Sequence, residues 1–596
     1  MKGFGLLTVF AATLVSTALA ASPPGHAGKS PNKPPGKQPG KPPGKPTDKP
    51  NFVFIIVDDQ DAVQNSFSTM HRTQKLLVEQ GTSLTRFYAS VSSCCPSRAS
   101  FLRAQEAHNT NVTSVRLPYG GWSVFNEFGY NGHWLPSFMQ NAGYGTYYVG
   151  KLMNGQDVNN YKTLPAQGFT ESEFLLDPFT YDYWNATFSY NNAKTNKYIN
   201  QYSTDVVADK GLRMLDSATK DDKPFFVAIA PIGPHFHVNS SLNANPRLFD
   251  VPIPAPRHEG MFADYTLNHD SPAFNPEQPS GVSWVRQLTR LNQTQVDYIE
   301  NWYRKRLEAL QAVDEMVERI VKKLEESGKL DNTYIIYTSD NGYECNAGHR
   351  RQPGKTTPYE PDILVPLAIR GPEVPKGFTD TKSIHSLADL GATIMHLAGA
   401  KADYEIDASI MPITPSLQRQ MAGGSKGKRS PVKTHHLVEY WGEGSDVEGI
   451  YAYNKTFGNA TYRSVRVTED KYDLAYAVWC TGEHEFFDMK NDPAQMKNLY
   501  EQPQLTKVKP GEYKRLMSRL DGLLLVLKTC KGDVCRYPWA EMFPDGKVDG
   551  LKKAMQPKYD KYFDGLPKVE FSKCTPGYLR NFERPFWESK LAYSKK

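Results

Sequence analysis

The chain has 596 residues, with 70 lysines and arginines against 64 aspartates and glutamates, a formal net charge of +6. Residues 1–50 hold seven lysines and one aspartate, so they carry the whole surplus and residues 51–596 are formally neutral. That excludes a basic, nucleic-acid-binding body, and the remaining length exceeds one small core, so a large domain with a smaller companion is expected.

Residues 1–20, MKGFGLLTVFAATLVSTALA, join a basic start at Lys2 to an apolar run ending in Ala18-Leu19-Ala20, the small-x-small form that signal peptidase cuts. The run is shorter than the roughly 20 residues a spanning helix needs, and no later stretch qualifies. A signal peptide and a secreted, extracellular or cell-wall-associated protein without a membrane span are therefore expected. Residues 21–50 place lysine at 29, 33, 37, 41, 45 and 49 among prolines and glycines. Such a composition buries no core and predicts an extended disordered tail or linker that offers cations to a cell wall or polyanion. Six sequons fit the secretory route: Asn111, Asn185, Asn239, Asn292, Asn454 and Asn459.

The body repeats one punctuation. Residues 52–57, FVFIIV, form an unbroken β-prone apolar run, as expected of a strand buried on both faces, and end at Asp58-Asp59. Residues 143–150 end at Lys151, residues 224–234 at His235, and residues 334–339 at Asp340-Asn341. Residues 364–372, LVPLAIRGP, read as a fifth strand of the same kind. Between them, Ile299, Trp302, Leu307, Leu310, Val313, Val317, Ile320 and Leu324 recur at helical spacing and predict a helix over 295–327, stopped by Gly328. Alternating strands and helices predict an α/β fold with a mostly parallel sheet, where ligands gather at the carboxyl ends of strands. A catalytic domain over 51–425 and a C-terminal subdomain over 426–596 are expected, joined near residues 423–428. The second should carry an antiparallel sheet from the HHLVEYW and YRSVRV segments and a helix near 511–527.

Asp58, Asp59, Asp340 and Asn341 offer only oxygen ligands, which suits calcium or magnesium rather than zinc. Arg98, Lys151, His235 and Lys355 add cations, so the strand ends suit a tetrahedral oxyanion held between metal and basic side chains. Alone, an aspartate pair is more often a turn or helix cap, and a strand-end lysine is surface. Four such strand endings argue for one site. The seven cysteines are 94, 95, 345, 480, 530, 535 and 574; the odd count leaves at least one unpaired or chemically committed. Cys530 and Cys535 are near enough to close a small disulfide loop, whereas neighbours such as Cys94 and Cys95 rarely pair with each other.

Cys94-Cys95-Pro96-Ser97-Arg98 resembles the C-x-P-S-R signature of the type I, formylglycine-dependent sulfatases of the alkaline-phosphatase superfamily. NFVFIIVDDQD, GYGTYYVGK, APIGPH, TSDNGY, GKTTPYEPDILVPLAIRGP and EFFDMKNDPAQMKNL resemble that family in its order, over roughly residues 50–540. CCPSR, DDQD and SDNGY look closest to the N-acetylglucosamine-6-sulfatase branch and to secreted fungal arylsulfatases. The resemblance implies an α/β/α sandwich that hydrolyses sulfate esters, aryl sulfates foremost, to an alcohol or phenol plus sulfate. It implies oxidation of Cys94 to formylglycine (3-oxoalanine) by a formylglycine-generating enzyme during maturation. One hydroxyl of the hydrated aldehyde then attacks sulfur and forms a sulfate ester, and the other, deprotonated, expels sulfate. It further implies that Asp58, Asp59, Asp340, Asn341 and modified Cys94 hold one calcium ion, magnesium being the alternative. Arg98 would position the formylglycine, Lys151 and Lys355 would bind sulfate, and His235 would stand beside the leaving-group oxygen.

The chain departs from the family at Leu102-Arg103-Ala104, where L-T-G is usual, and at Leu152-Met153, where G-K-W-H supplies a second histidine. The resemblance assigns no role to Glu344 or His349, which lie in GYECNAGHRRQPGK around Cys345. The rival readings are an N-acetylglucosamine-6-sulfatase-type glycan sulfatase, a phosphodiesterase or phosphonate monoester hydrolase of the same superfamily, and a non-catalytic glycan-binding protein of sulfatase-like fold.

Overall fold

The structure is a computed structural model and describes residues 49–240, 249–423, 433–442, 444–447, 457–502, 504 and 510–594. The expected signal peptide, the tail up to residue 48, residues 424–428 of the expected connection and the Asn454 sequon lie outside the described residues.

The apolar run at the start of the body becomes β1 (Asn51–Val57), buried at every position. Its side chains alternate between two cores. Phe52, Phe54 and Ile56 face a cluster with Phe101, Leu390 and Ile394, while Val53, Ile55 and Val57 face one with Val207, Leu310, Val313 and Val317. Three layers result, with helices on both faces of one sheet, which is why the strand reads as continuous apolar sequence. β1 lies between β3 (Phe225–Ala230) and β4 (Thr333–Ser339), parallel to both, and β2 (Gly145–Gly150) continues parallel beyond β3. Among the described residues the sheet has ten strands.

The fifth expected strand, β5 (Leu367–Arg370), lies beside β4 but runs antiparallel to it. A parallel neighbour needs a crossover to the far end of the sheet. Here the connection after Ser339 carries site residues and stays at the carboxyl end, so β5 starts there and returns. The sheet is mixed, parallel at its centre. Residues 295–327 form the expected long helix, α2 (Gln293–Glu326), after α1 (Cys94–Arg103). Asn292 and Gln295 build a capping box at its start, and Gly328 lies just beyond its end at φ +66°.

One glycine is required by the site. Gly150 ends β2 at φ +106°, and a Cβ there would fall 2.0 Å from the Ala230 carbonyl oxygen. Gly150→Ala is expected to cost roughly 1–3 kcal/mol of stability, read by chemical denaturation, and to displace Lys151, the next residue, with loss of activity.

A second, four-stranded antiparallel sheet comprises β6 (His435–Tyr440), β7 (Tyr462–Glu469), β8 (Tyr472–Trp479) and β9 (His484–Asp488), in that order. Leu437, Val465, Leu474 and Phe486 pack on Leu516, Leu520 and Leu523 of α3 (Pro510–Leu527). The HHLVEYW, YRSVRV and 511–527 segments thus occupy the expected elements. Disulfides join Cys530 to Cys535, as the spacing suggested, and Cys480 to Cys574; Cys94, Cys95 and Cys345 are buried and stand outside these disulfides. No helix among the described residues is long and apolar enough to cross a membrane.

Candidate active site

The signature forms the first turns of α1. Its spacing puts Cys94, Ser97 and Arg98 on one helix face, at i, i+3 and i+4. Pro96 falls in the first turn, where its missing N–H has no intrahelical acceptor to lose. Ser97 Oγ donates to the Asp340 carbonyl at 2.5 Å and Arg98 Nε to Asp340 Oδ2 at 2.7 Å, so the helix is locked to the end of β4. Another Arg98 nitrogen donates to the Lys151 carbonyl at 2.6 Å, tying in the end of β2. Cys95 is fully buried, and burial pushes its thiol up to about 11.

Cys94 opens the helix, and its sulfur stands where the oxygens of a modified side chain would be. It lies 3.4 Å from Asp58 Oδ1, 3.7 Å from Asp59 Oδ1 and 2.9 Å from Lys355 Nζ. Lys355 Nζ also donates to Asp59 Oδ1, and Lys151 Nζ to Asp58 Oδ2, both at 2.5 Å. Asn341 Nδ2 donates to Asp59 Oδ1 at 2.7 Å, and Asp340 Oδ1 accepts the backbone N–H groups of Asp59 and Asn341. His235 Nε2 stands 3.5 Å from Asp59 Oδ2. All nine sequence-predicted residues therefore meet in one buried cluster at the carboxyl ends of four strands.

Three buried carboxylates here face three buried cations. Burial, reinforced by Asp340, pushes the Asp58 carboxyl up to about 7. Burial also works against ionised Asp59, but Lys355, with Lys151, outweighs it and holds Asp59 below the usual carboxylate range. Asp340 is likewise held low against burial by Arg98 and Lys151. His235 differs from the expectation of a fourth cation: burial, aided by Lys355, pushes it down to about 3, so it is neutral.

A cation fits this donor set. Asp59 Oδ2 and Asn341 Oδ1 are buried acceptors with no hydrogen-bond partner, an arrangement that costs free energy unless something electropositive fills it. Asp58, Asp59, Cys94 and His235 each bring one ligand atom within 4.8 Å of the others. The one other such group among the described residues, His108 with Cys530 and Cys535, has both sulfurs in a disulfide.

Glu344 and His349 prove to be scaffold. Glu344 accepts the backbone N–H groups of Asn346 and Gly348, and His349 stacks on Tyr359 at 4.5 Å. The bridge from Glu344 to Gly354 closes the loop that delivers Lys355. A third residue, absent from the sequence reading, is Arg306 of α2. It is fully buried, donates to the Asp59 carbonyl at 2.6 Å and sits 3.5 Å from Asp61 Oδ1, holding Asp59 at φ +67°. Its signal was legible: an arginine on the apolar stripe of a helix, between Trp302 and Leu310.

The sulfatase family model matches residues 50–400. The arylsulfatase of Volvox carteri is 36% identical over 563 residues, 91% of this chain and 84% of that protein. The N-acetylglucosamine-6-sulfatase of Homo sapiens is 31% identical over 507 residues, 82% of this chain and 86% of that one. A solved structure described in complex with its substrate D-glucosamine-2-N,6-O-disulfate shares the fold, with a TM-score of 0.61 at 21% identity, over 79% of this chain and 97% of that chain. With the family model spanning more than half of its length and these identities extending across most of it, the chain belongs to the sulfatase family, the sulfuric ester hydrolases.

Proposed function

We propose that this protein is a secreted arylsulfatase in which Cys94, converted to formylglycine, works with one calcium ion. The observation that carries the reading is the setting of Cys94, at a helix N-terminus, between two aspartates and a lysine. As a thiol it is a poor nucleophile there, because burial and then Asp58 push its pKa well above the ordinary range. A hydrated aldehyde at that position supplies what the thiol lacks, one hydroxyl to attack sulfur and a second whose loss of a proton expels sulfate.

Asp58, Asp59, Asp340 and Asn341 would hold the metal, whose chemistry is that of a Lewis acid for sulfate and for the attacking hydroxyl. Arg98 braces Asp340 and the backbone of Lys151, which fixes two parts of the site through one guanidinium. Lys151 and Lys355 supply ammonium donors for the sulfate oxygens. Neutral His235 stands on the leaving-group side, stacked against Tyr181.

Beside the site, aromatic rings run from Tyr181 and His235 through Phe236 to exposed Phe249, a platform for a flat leaving group. This favours aryl sulfates. Sugar sulfates are the second reading, favoured by the similarity to N-acetylglucosamine-6-sulfatase. Secretion is supported by the two disulfides and by the exposure of Asn111, Asn239, Asn292 and Asn459; Asn185 is half-buried, its amide bonded to Ser240. The domain division near residues 423–428 would appear as the second site of limited proteolysis, after the 21–50 tail.

The test is to assay 4-nitrophenyl sulfate, N-acetylglucosamine 6-sulfate and bis(4-nitrophenyl) phosphate side by side. The aryl sulfate should show the largest kcat/KM. Preference for the phosphodiester would overturn the reading, and preference for the sugar ester would move it to the glycan branch.

A further inference from the structure

Every group touching Cys94 or its aspartates is buried, whereas Asn154 and Tyr181 beside them are half-buried. The Tyr181 ring lies flat on His235, centroids 4.1 Å apart at 19°, and 5.0 Å from Lys151 Nζ. It is wedged between two site residues at the rim. Its hydroxyl accepts from Asn154 Nδ2 at 2.7 Å, which leaves the phenol's own proton to be donated elsewhere. Asn154 is itself fixed. Its carbonyl accepts from Trp122 N at 2.8 Å, and its Oδ1 is buried without a partner.

In-line displacement places the departing oxygen opposite the attacking one. The attacking end is at buried Cys94, so the departing oxygen faces the rim. The geometry points to Tyr181 as a substrate-contacting residue whose hydroxyl donates a hydrogen bond to the departing ester oxygen, with Asn154 as the positioning residue behind it. This rests on the sulfatase reading above. As the S–O bond breaks, its electron pair stays on the departing oxygen and charge grows there, so a fixed donor gains strength as the reaction proceeds. Burial raises the phenol above its ordinary range, so Tyr181 donates a hydrogen bond and keeps its proton.

Such a donor matters most for poor leaving groups, on which most charge accumulates. The test compares wild type and Tyr181→Phe on a series from 4-nitrophenyl to unsubstituted phenyl sulfate. Phenylalanine keeps the ring stack and removes only the hydroxyl. We expect kcat/KM for phenyl sulfate to fall roughly 10²-fold, a much smaller loss for 4-nitrophenyl sulfate, and hence a steeper dependence on leaving-group pKa. Asn154→Ala should shift the slope in the same direction by less, with an unchanged melting temperature as the check on folding. A purely packing role would leave the slope as in wild type, and equal slopes would overturn the inference. Absence of any sulfate-ester turnover by wild type would instead remove the sulfatase reading, and this inference with it.

Discussion

Replacing Cys94 by alanine is expected to leave a folded protein with no sulfate-ester turnover above the uncatalysed background. The buried thiol is hydrogen-bonded with Asp58, Asp59 and Lys355, and removing it leaves those three still paired with one another and with Lys151, so the fold loses little. The chemistry loses everything, because no other described side chain stands at the helix N-terminus facing both aspartates and Lys355. Cys94→Ser separates the two halves of the reaction. A serine hydroxyl can attack sulfur and release the phenol, but it has no second oxygen on the same carbon to expel sulfate, so one equivalent of phenol and a sulfated Ser side chain should accumulate. Intact-protein mass spectrometry after incubation with 4-nitrophenyl sulfate reads this directly. Full-rate turnover by either variant would contradict the assigned nucleophile.

Asp340→Asn should cost more than about 100-fold in metal affinity and in kcat/KM, since even groups one step removed from a metal typically cost 10–100-fold. Asparagine is the informative change. Asp340 Oδ2 is the partner of buried Arg98 and Oδ1 takes two backbone N–H groups. Alanine would abandon a buried guanidinium, a loss of roughly 3–5 kcal/mol, and would confuse folding with catalysis. Asparagine keeps Oδ1 for the two backbone N–H groups and keeps the shape while removing one charge, although its NH2 takes the place of the oxygen that Arg98 Nε donates to. Calcium titration by calorimetry gives the affinity independently of activity. Wild-type affinity in Asp340→Asn, or full activity of wild type after chelation with metal analysis showing the ion gone, would refute the assignment.

Much of this site was legible because buried parallel strands write themselves as unbroken apolar runs, and their polar ends mark the functional edge of the sheet. Asp58-Asp59, Lys151, His235 and Asp340-Asn341 were found that way, and α1 and Lys355 through the signature and motif order. Direction was less legible than existence. LVPLAIRGP reads the same whether its strand is parallel or not, and only the length and path of the preceding loop decide that β5 turns back. Partners distant in sequence were also hidden. The Cys480–Cys574 disulfide spans 94 residues, and local spacing cannot choose among such pairings. Neutral His235 could not be read either, since the residue type suggests a cation and only its burial removes the charge. The contacts of Arg306 with the Asp59 carbonyl and of Asn154 with the Tyr181 hydroxyl join residues distant in sequence, and no local spacing shows such partners.

The central claim is that position 94, and no other, carries the aldehyde. Trypsin cuts after Arg86 and Arg98 and releases residues 87–98, FYASVSSCCPSR, with both cysteines in one peptide. Fragmentation mass spectrometry of that peptide from secreted protein, with an aldehyde-reactive probe alongside, assigns the modification to a residue. The predicted result is formylglycine at 94 with Cys95 still a thiol. An aldehyde at 95, or fully active protein with unmodified Cys94, would contradict it.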